Sequence, residues 1–459
     1  MPDAPTIDTL LNTYKPDIHI DTGEALDPSP ASLEKRITRS TLPGGFRLAL
    51  LPKGTRGNRV QATLTLRFGD EQALAGKASA AELATQLLMR GTRSKSRQQI
   101  QDEMQRLNAT IGIGGGIASV SANISTTADN LIAAMRLALE ILREPAFPAA
   151  DFDTIRRQRT AALDRTRTEP GTLAAEALQR HISPYPRGDV RHVRSIDEEI
   201  EDLNKVTLDD VKRFHEAFYG ASNGELVVVG KFDPGQVQAA STELLGAWKS
   251  PAPYRRIVDP YQEVAPLNTK IETPDKENAQ ISVALRLRMR DADPDYPAMV
   301  MANYMFGGGI TARLPDRVRN REGYSYSVSS SFTAPVEGDA ARFSAGAISN
   351  PTNTPKVEAS LLDELTRTLK GGFTAAELAA AKKAMRDDRI ASRTSDAGLA
   401  SLIGAREQWG RTLLWDEQLD GKLQSLTLDQ VNAAFRRNVN PEALAIVKAG
   451  DFSRASVYR

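Results

Sequence analysis

Cysteine is absent from the 459 residues and histidine occurs only four times. No disulfide, thiolate nucleophile or Cys-based metal site can form, and an imidazole-rich metal site has little material. Net charge is missing as well. The 59 basic and 58 acidic side chains leave +1, so no chain-wide field selects nucleic acid, an anionic membrane or an acidic substrate. No uninterrupted apolar run approaches the ~18 residues that a membrane-crossing helix needs. The first residues also lack the basic start and apolar stretch of a signal peptide. What is present is 41% apolar residues, enough for packed cores, on a length that suits two to four domains of roughly 150 residues each.

The start of the chain, 1–33, carries Pro2, Pro5, Pro16, Pro28 and Pro30 among Asp, Thr and Ser, and reads as an extended leader. Beyond it the chain repeats itself. Val206-Thr207-Leu208-Asp209-Asp210-Val211 returns as Leu426-Thr427-Leu428-Asp429-Gln430-Val431, and Leu226 to Phe232 returns as Ile446 to Phe452, both at an offset of 220. A looser pair, Phe147 to Phe152 and Phe373 to Leu378, lies at 226. A fixed long offset marks a duplication. The halves are placed at 34–250 and 258–459, joined by the Pro-rich Ser250-Pro251-Ala252-Pro253.

Period-two alternation at Thr63 to Phe68 and Ile281 to Leu287 predicts half-buried strands. A turn at Pro43-Gly44-Gly45 predicts a hairpin. Ser79 and Glu82 have capping-box spacing ahead of Leu83, Leu87 and Leu88, with Gly91 placed to stop that helix, and Thr374 with Glu377 repeats the spacing. Strands mixed with long helices predict an α+β fold in which each half packs an antiparallel-type sheet against helices.

Chemistry is harder to find. Gly112 to Gly116 and Gly307 to Gly309 lack the Gly-Lys-Ser/Thr ending of a phosphate loop and read as close backbone approaches. His19, His181, His192 and His215 contain no i, i+4 pair, so no helix presents two imidazoles to one metal. No Gly-x-Ser-x-Gly elbow supports a hydrolytic triad. Arg313, Arg317 and Arg321 would form an i, i+4 ladder if their segment were α-helical, with Arg319 facing elsewhere. That ladder suits a solvated basic face, since Asp316, Glu322 and the neutral total argue against nucleic acid.

Thr311-Ala312-Arg313-Leu314, then Arg319, then Glu322-Gly323-Tyr324-Ser325-Tyr326-Ser327 resembles the second-domain signature of the pitrilysin/insulinase-type metallopeptidases, which include the mitochondrial processing peptidases. Arg90-Gly91-Thr92, Pro184-Tyr185 before Gly188, and the Gly-Lys-Phe and Gly-Asp-Phe endings extend the resemblance over nearly everything after residue 34. Active members carry His-x-x-Glu-His just before the Arg-Gly-Thr-like segment. In that register this chain has Glu82, Thr85 and Gln86, and the third ligand of the family falls near Asp164. Zinc catalysis needs three protein donors and an open position, so the resemblance implies that this chain binds no zinc of its own.

The resemblance further implies the catalytically inactive half of a zinc peptidase. It would pair with a zinc-bearing half, on the same polypeptide or as a separate subunit, that supplies the metal and encloses an unfolded peptide. Tyr326 would donate to the scissile carbonyl oxygen and Arg319 would hold nearby substrate carbonyls. The alternative is a structural or peptide-binding scaffold with no part in catalysis. Relatives of this layout are often exported by Gram-negative bacteria, which implies the periplasm.

Overall fold

A computed structural model describes residues 23–453. The described chain forms two sheets, each backed by its own helices. The first sheet holds β1 (Thr38–Thr41), β2 (Arg47–Pro52), β3 (Arg59–Arg67), β4 (Thr110–Gly115), β5 (Ser119–Thr127) and β6 (Gly224–Gly230) in the order β1-β2-β6-β3-β5-β4. The second holds β7 (Leu267–Glu272), β8 (Ala279–Arg288), β9 (Ser327–Thr333), β10 (Ala340–Ser349) and β11 (Ala445–Gly450) in the order β7-β11-β8-β10-β9. Removing β1 superimposes the two orders, with β2 matching β7 and β6 matching β11.

The α+β duplication is therefore present, with one refinement. Each sheet is mixed rather than purely antiparallel, because β2 runs parallel to β6 and β7 parallel to β11. The long crossover between those partners contains the helices of each half, as a parallel pairing requires. The hairpin at Gly44-Gly45 forms, both glycines at positive φ, and adds β1 to the edge of the first sheet.

The repeated Thr-Leu-Asp segments are helix starts. Thr207 and Thr427 each accept a hydrogen bond from the backbone N–H three residues on, and Asp210 and Gln430 reach back, so two capping boxes open the helices Leu208–Phe218 and Leu428–Asn438. Thr374 and Glu377 close a third around the helix Ala375–Thr394. Thr207→Ala and Thr427→Ala are each expected to cost about 1 kcal/mol in urea unfolding, with additive losses because the caps lie in different halves.

The Ser79–Glu82 capping box does not form. The helix Ala78–Leu87 begins after Lys77, and Ser79 lies inside its first turn. Both side chains are engaged by Arg194 instead. The expected stop is in place: a 3₁₀ turn over Leu88–Arg90 ends at Gly91, whose φ of 139° a side chain would strain.

On β3 the alternation separates a buried row, Val60, Ala62, Leu64 and Leu66, from the partly exposed Gln61, Thr63 and Thr65. β6 is different, being buried along its whole length. Leu226 and Val228 join the core of the first half, while Val227 and Val229 face the other way into a second cluster. That second cluster contains Leu399, Ala400, Ile403 and Leu413, which come from the other half. The arrangement is reciprocal. The helix Pro170–Ile182 lays Ala174, Leu178 and Ile182 on Ala284, Ala445, Val447 and Ala449 of the second sheet. Pro170–Ile182 and Asp396–Gln408 stand at the repeat offset of 226. Each half thus lends the equivalent helix to the outer face of the other's sheet.

Residues 1–22 of the leader lie outside the described residues; its last residues and the junction join this packing. The helix Pro30–Arg36 buries Leu33 against Ala49 and Leu51, and the segment after Ser250 returns to the first half, where Arg255 N–H bonds to the Gly69 carbonyl at 2.9 Å.

Candidate functional site

The Ala78–Leu87 helix occupies the place at which the resemblance puts zinc ligands. Glu82 on this helix is part-buried and pairs with Arg194 at 2.6 Å. The same guanidinium donates to Ser79 Oγ at 2.7 Å and lies 3.5 Å from Asp202. Burial raises the Glu82 carboxyl above its ordinary range; the Arg194 charge pulls it down, nearby Glu199 pushes it up, and Arg159 opposes again. Thr85 Oγ1 donates to the Ala81 carbonyl at 3.1 Å and lies 3.5 Å from the Tyr219 hydroxyl. Burial raises Tyr219 to about 12, so it remains a neutral phenol. Gln86 is exposed.

Asp164 is exposed near the end of the Ala149–Thr166 helix and accepts from Arg167 Nε at 2.9 Å. Among the charges bearing on Glu82 from that helix is Arg159, a cation. The chemistry of this donor set does not fit zinc. Glu82 is neutralised by a guanidinium, Thr85 and Gln86 offer neutral oxygens, and the nearby helical residue repels a divalent cation. Among the described residues no three His, Asp or Glu side chains converge as a metal-holding group. Arg194 lies 112 residues from Glu82, a separation no local spacing rule reports.

Ionised Glu82 is a cost that Arg194 offsets, which gives a pH-dependent expectation. A carboxyl whose folded pKa is raised adds stability below the unfolded value and loses it as pH rises through the folded pKa. Removing Arg194 raises the Glu82 pKa further. Arg194→Ala is therefore expected to lose about 2 kcal/mol at pH 7 and distinctly less near pH 4.5, measured by urea unfolding at both. A deficit that grows on acidification would contradict this origin.

The histidines are structural in their contacts. His181 Nε2 lies 2.7 Å from the Ala265 carbonyl, and His215 Nε2 lies 2.7 Å from that of Leu142. His192 bridges the Tyr185 carbonyl and Glu198. Although burial works against it, the Ser195 N–H, Arg180 and His192 hold the Glu198 carboxyl at about 2. His19 lies outside the described residues.

In the second half, two wide helical turns frame a glycine-rich loop. Gly309 N–H bonds to the Tyr304 carbonyl and Glu322 N–H to that of Arg317, both i→i+5. These are π-helical turns over Tyr304–Gly308 and Pro315–Arg321. The first packs so closely on β9 that a Cβ on Gly307 would stand 2.8 Å from the Ser330 nitrogen.

The wide turn removes the expected α-helical arginine ladder and distributes the four arginines by partner. Arg313 grips Glu377 at 2.5 Å and stacks 4.9 Å from the Phe373 ring centroid. Arg317 pairs with Glu322, Asp363 and Glu364, and Arg321 pairs with Asp316. Arg319 is exposed and makes no ion pair or hydrogen bond among the described residues. Tyr326 precedes β9. Its backbone N–H bonds to the Ile348 carbonyl at 2.9 Å, while its side chain is 63% exposed and makes no hydrogen bond among them. Exposed Ile310, at 96%, lies on the loop between the two turns.

The chain is thus a duplicated α+β protein in which Glu82 and Ser79 of the Ala78–Leu87 helix are held by Arg194. The family model described as the Peptidase M16 inactive domain matches residues 205–385, so the resemblance to the pitrilysin/insulinase-type peptidases holds. Over 413 residues the chain is 24% identical to an uncharacterized zinc protease of Streptomyces coelicolor, covering 87% of this chain and 86% of the relative. The crystal structure of a peptidase M16 inactive domain from Pseudomonas fluorescens aligns with a TM-score of 0.79 at 24% identity, over 90% of this chain and 97% of the other. The periplasmic protease PqqL of Escherichia coli aligns with a TM-score of 0.75 at 16% identity, over 95% of this chain but 46% of PqqL. Among the described residues no helix is long and apolar enough to cross a membrane.

Proposed function

We propose that this chain is the metal-free half of a bipartite zinc peptidase, closing over a zinc-bearing half to enclose an unfolded peptide. The carrying observation is the contrast within one short segment. Arg313, Arg317 and Arg321 are spent on acids, whereas Arg319 and Tyr326 stand exposed without side-chain partners among the described residues. Exposed polar side chains on loops beside a rigid sheet are free to meet a ligand, which supports the reading without requiring it. In this reading Tyr326 donates its hydroxyl to the oxyanion formed at the scissile carbonyl, and Arg319 holds substrate backbone carbonyls. The zinc and the general base would belong to the partner half, where the metal would supply activation of the attacking water.

Two further features support an extended peptide. Among the described residues β4 ends the first sheet with β5 on one side only, and its Gly112, Gly114 and Gly115 leave a slim edge where a strand can add. A chain matching a little under half of a periplasmic protease is what one half of a two-half enzyme would give, and it supports placing this protein in the periplasm.

The test is reconstitution. Mixing the purified chain with a zinc-bearing half from the same organism is expected to restore cleavage of an unfolded peptide that neither component cuts alone. Peptide binding without rescue by any zinc-bearing partner would favour the scaffold reading.

A further inference from the structure

Three cations without acidic partners converge on one pocket of the first half, remote in sequence from Arg319 and Tyr326. Arg93 follows the turn after Gly91, Arg143 ends the helix Leu131–Arg143, and Lys212 lies on the helix Leu208–Phe218. None makes a side-chain ion pair or hydrogen bond among the described residues. Together with His215 and Glu216 they line a pocket of about 210 Å³, one wall of which is apolar and includes Phe147.

The surroundings hold these groups ready. The Arg143 guanidinium lies 5.9 Å from the Trp248 ring centroid, a contact that orients it without consuming its N–H groups. His215 Nε2 covers the Leu142 carbonyl, one of the negative groups at the end of its helix, so fewer of them face the pocket. Phe147 keeps a φ of 45°, unfavourable for a side-chain-bearing residue, and stands edge-on to His215 with ring centroids 5.4 Å apart. Burial holds His215 below the usual imidazole range, against the pull of the Leu142 carbonyl. With His215 neutral, three cations against Glu216 leave an excess of two positive charges.

That excess matches a phosphate dianion, which carries about −1.5 to −2 at neutral pH. The two guanidiniums suit its oxygens as forks and the ammonium as a point charge. The volume and the apolar wall leave room for a small organic group beside it. We propose that the Arg93–Arg143–Lys212 pocket binds a small phosphomonoester, its phosphate among the three cations and its organic part against the Phe147 wall.

Calorimetric titration of the full chain at pH 7 and constant ionic strength tests this, with inorganic phosphate and phenyl phosphate as probes. One site is expected, with phenyl phosphate the tighter ligand. Arg143→Ala and Lys212→Ala should each weaken binding by roughly tenfold or more, and Arg290→Ala, an exposed cation outside the pocket, should leave it unchanged. Melting curves without ligand show whether each variant is folded. Because the chain has four histidines, proton NMR provides a second reading: phenyl phosphate should move the His215 ring signals and leave those of His181 and His192 in place. No binding of either probe, undiminished binding by folded Arg143→Ala and Lys212→Ala, or unmoved His215 signals at saturation would overturn the assignment. Equal affinity for the two probes would overturn the part given to the organic group.

Discussion

Tyr326→Phe, in a mixture of this chain with the proposed zinc-bearing half, is expected to lower kcat by roughly a hundredfold or more while leaving KM and complex formation nearly unchanged. The substitution removes one oxygen from a ring that is 63% exposed and contacts no hydrogen-bond partner among the described residues. It therefore costs the free protein almost nothing. A loss confined to turnover means that the hydroxyl acts on charge that develops only during the reaction. A preorganised donor to such an oxyanion is worth about 3 kcal/mol of barrier. Arg319→Ala should differ in kind, raising KM as well as lowering turnover, because holding substrate carbonyls stabilises bound substrate and transition state alike. Wild-type turnover in both variants would return the chain to the scaffold reading.

Cutting the chain between Ser250 and Val258 is expected to leave neither half able to unfold cooperatively alone, and mixing the fragments should restore a single cooperative transition. The reason lies in the exchanged helices. Without Asp396–Gln408, the first sheet exposes Ala49, Leu51, Val227 and Val229, all buried in the intact chain. Without Pro170–Ile182, the second exposes Ala284, Ala445, Val447 and Ala449. An uncovered face of this kind is an aggregation surface. Within the intact protein, Ile403→Ala and Leu178→Ala should each cost roughly 2–5 kcal/mol, the range for emptying a large aliphatic site in a packed core. Independent, reversible folding of either fragment would show that the exchange is ornamental to stability.

Much of this organisation is legible without coordinates. The 220 offset announces the duplication, and the Thr207 and Thr427 capping boxes confirm it residue by residue because a cap needs only side chains three positions apart. The β3 alternation and the Gly91 stop are local in the same way. Ser79 and Glu82 show where such reasoning ends. Their spacing satisfies the capping rule, yet a guanidinium 112 residues from Glu82 binds both. A charge-assisted pair in a part-buried site outweighs a cap that solvent can replace.

Sequence alone thus determined what depends on neighbours along the chain: the repeat, the helix starts and the strand periods. Tertiary structure decided what depends on partners across it. It revealed that each half covers the other's sheet, that Arg194 occupies Glu82, and that three of four clustered arginines are neutralised while Arg319 is not. Pairing between distant residues is set by how the whole chain packs, and packing energies are realised only when both surfaces are brought together.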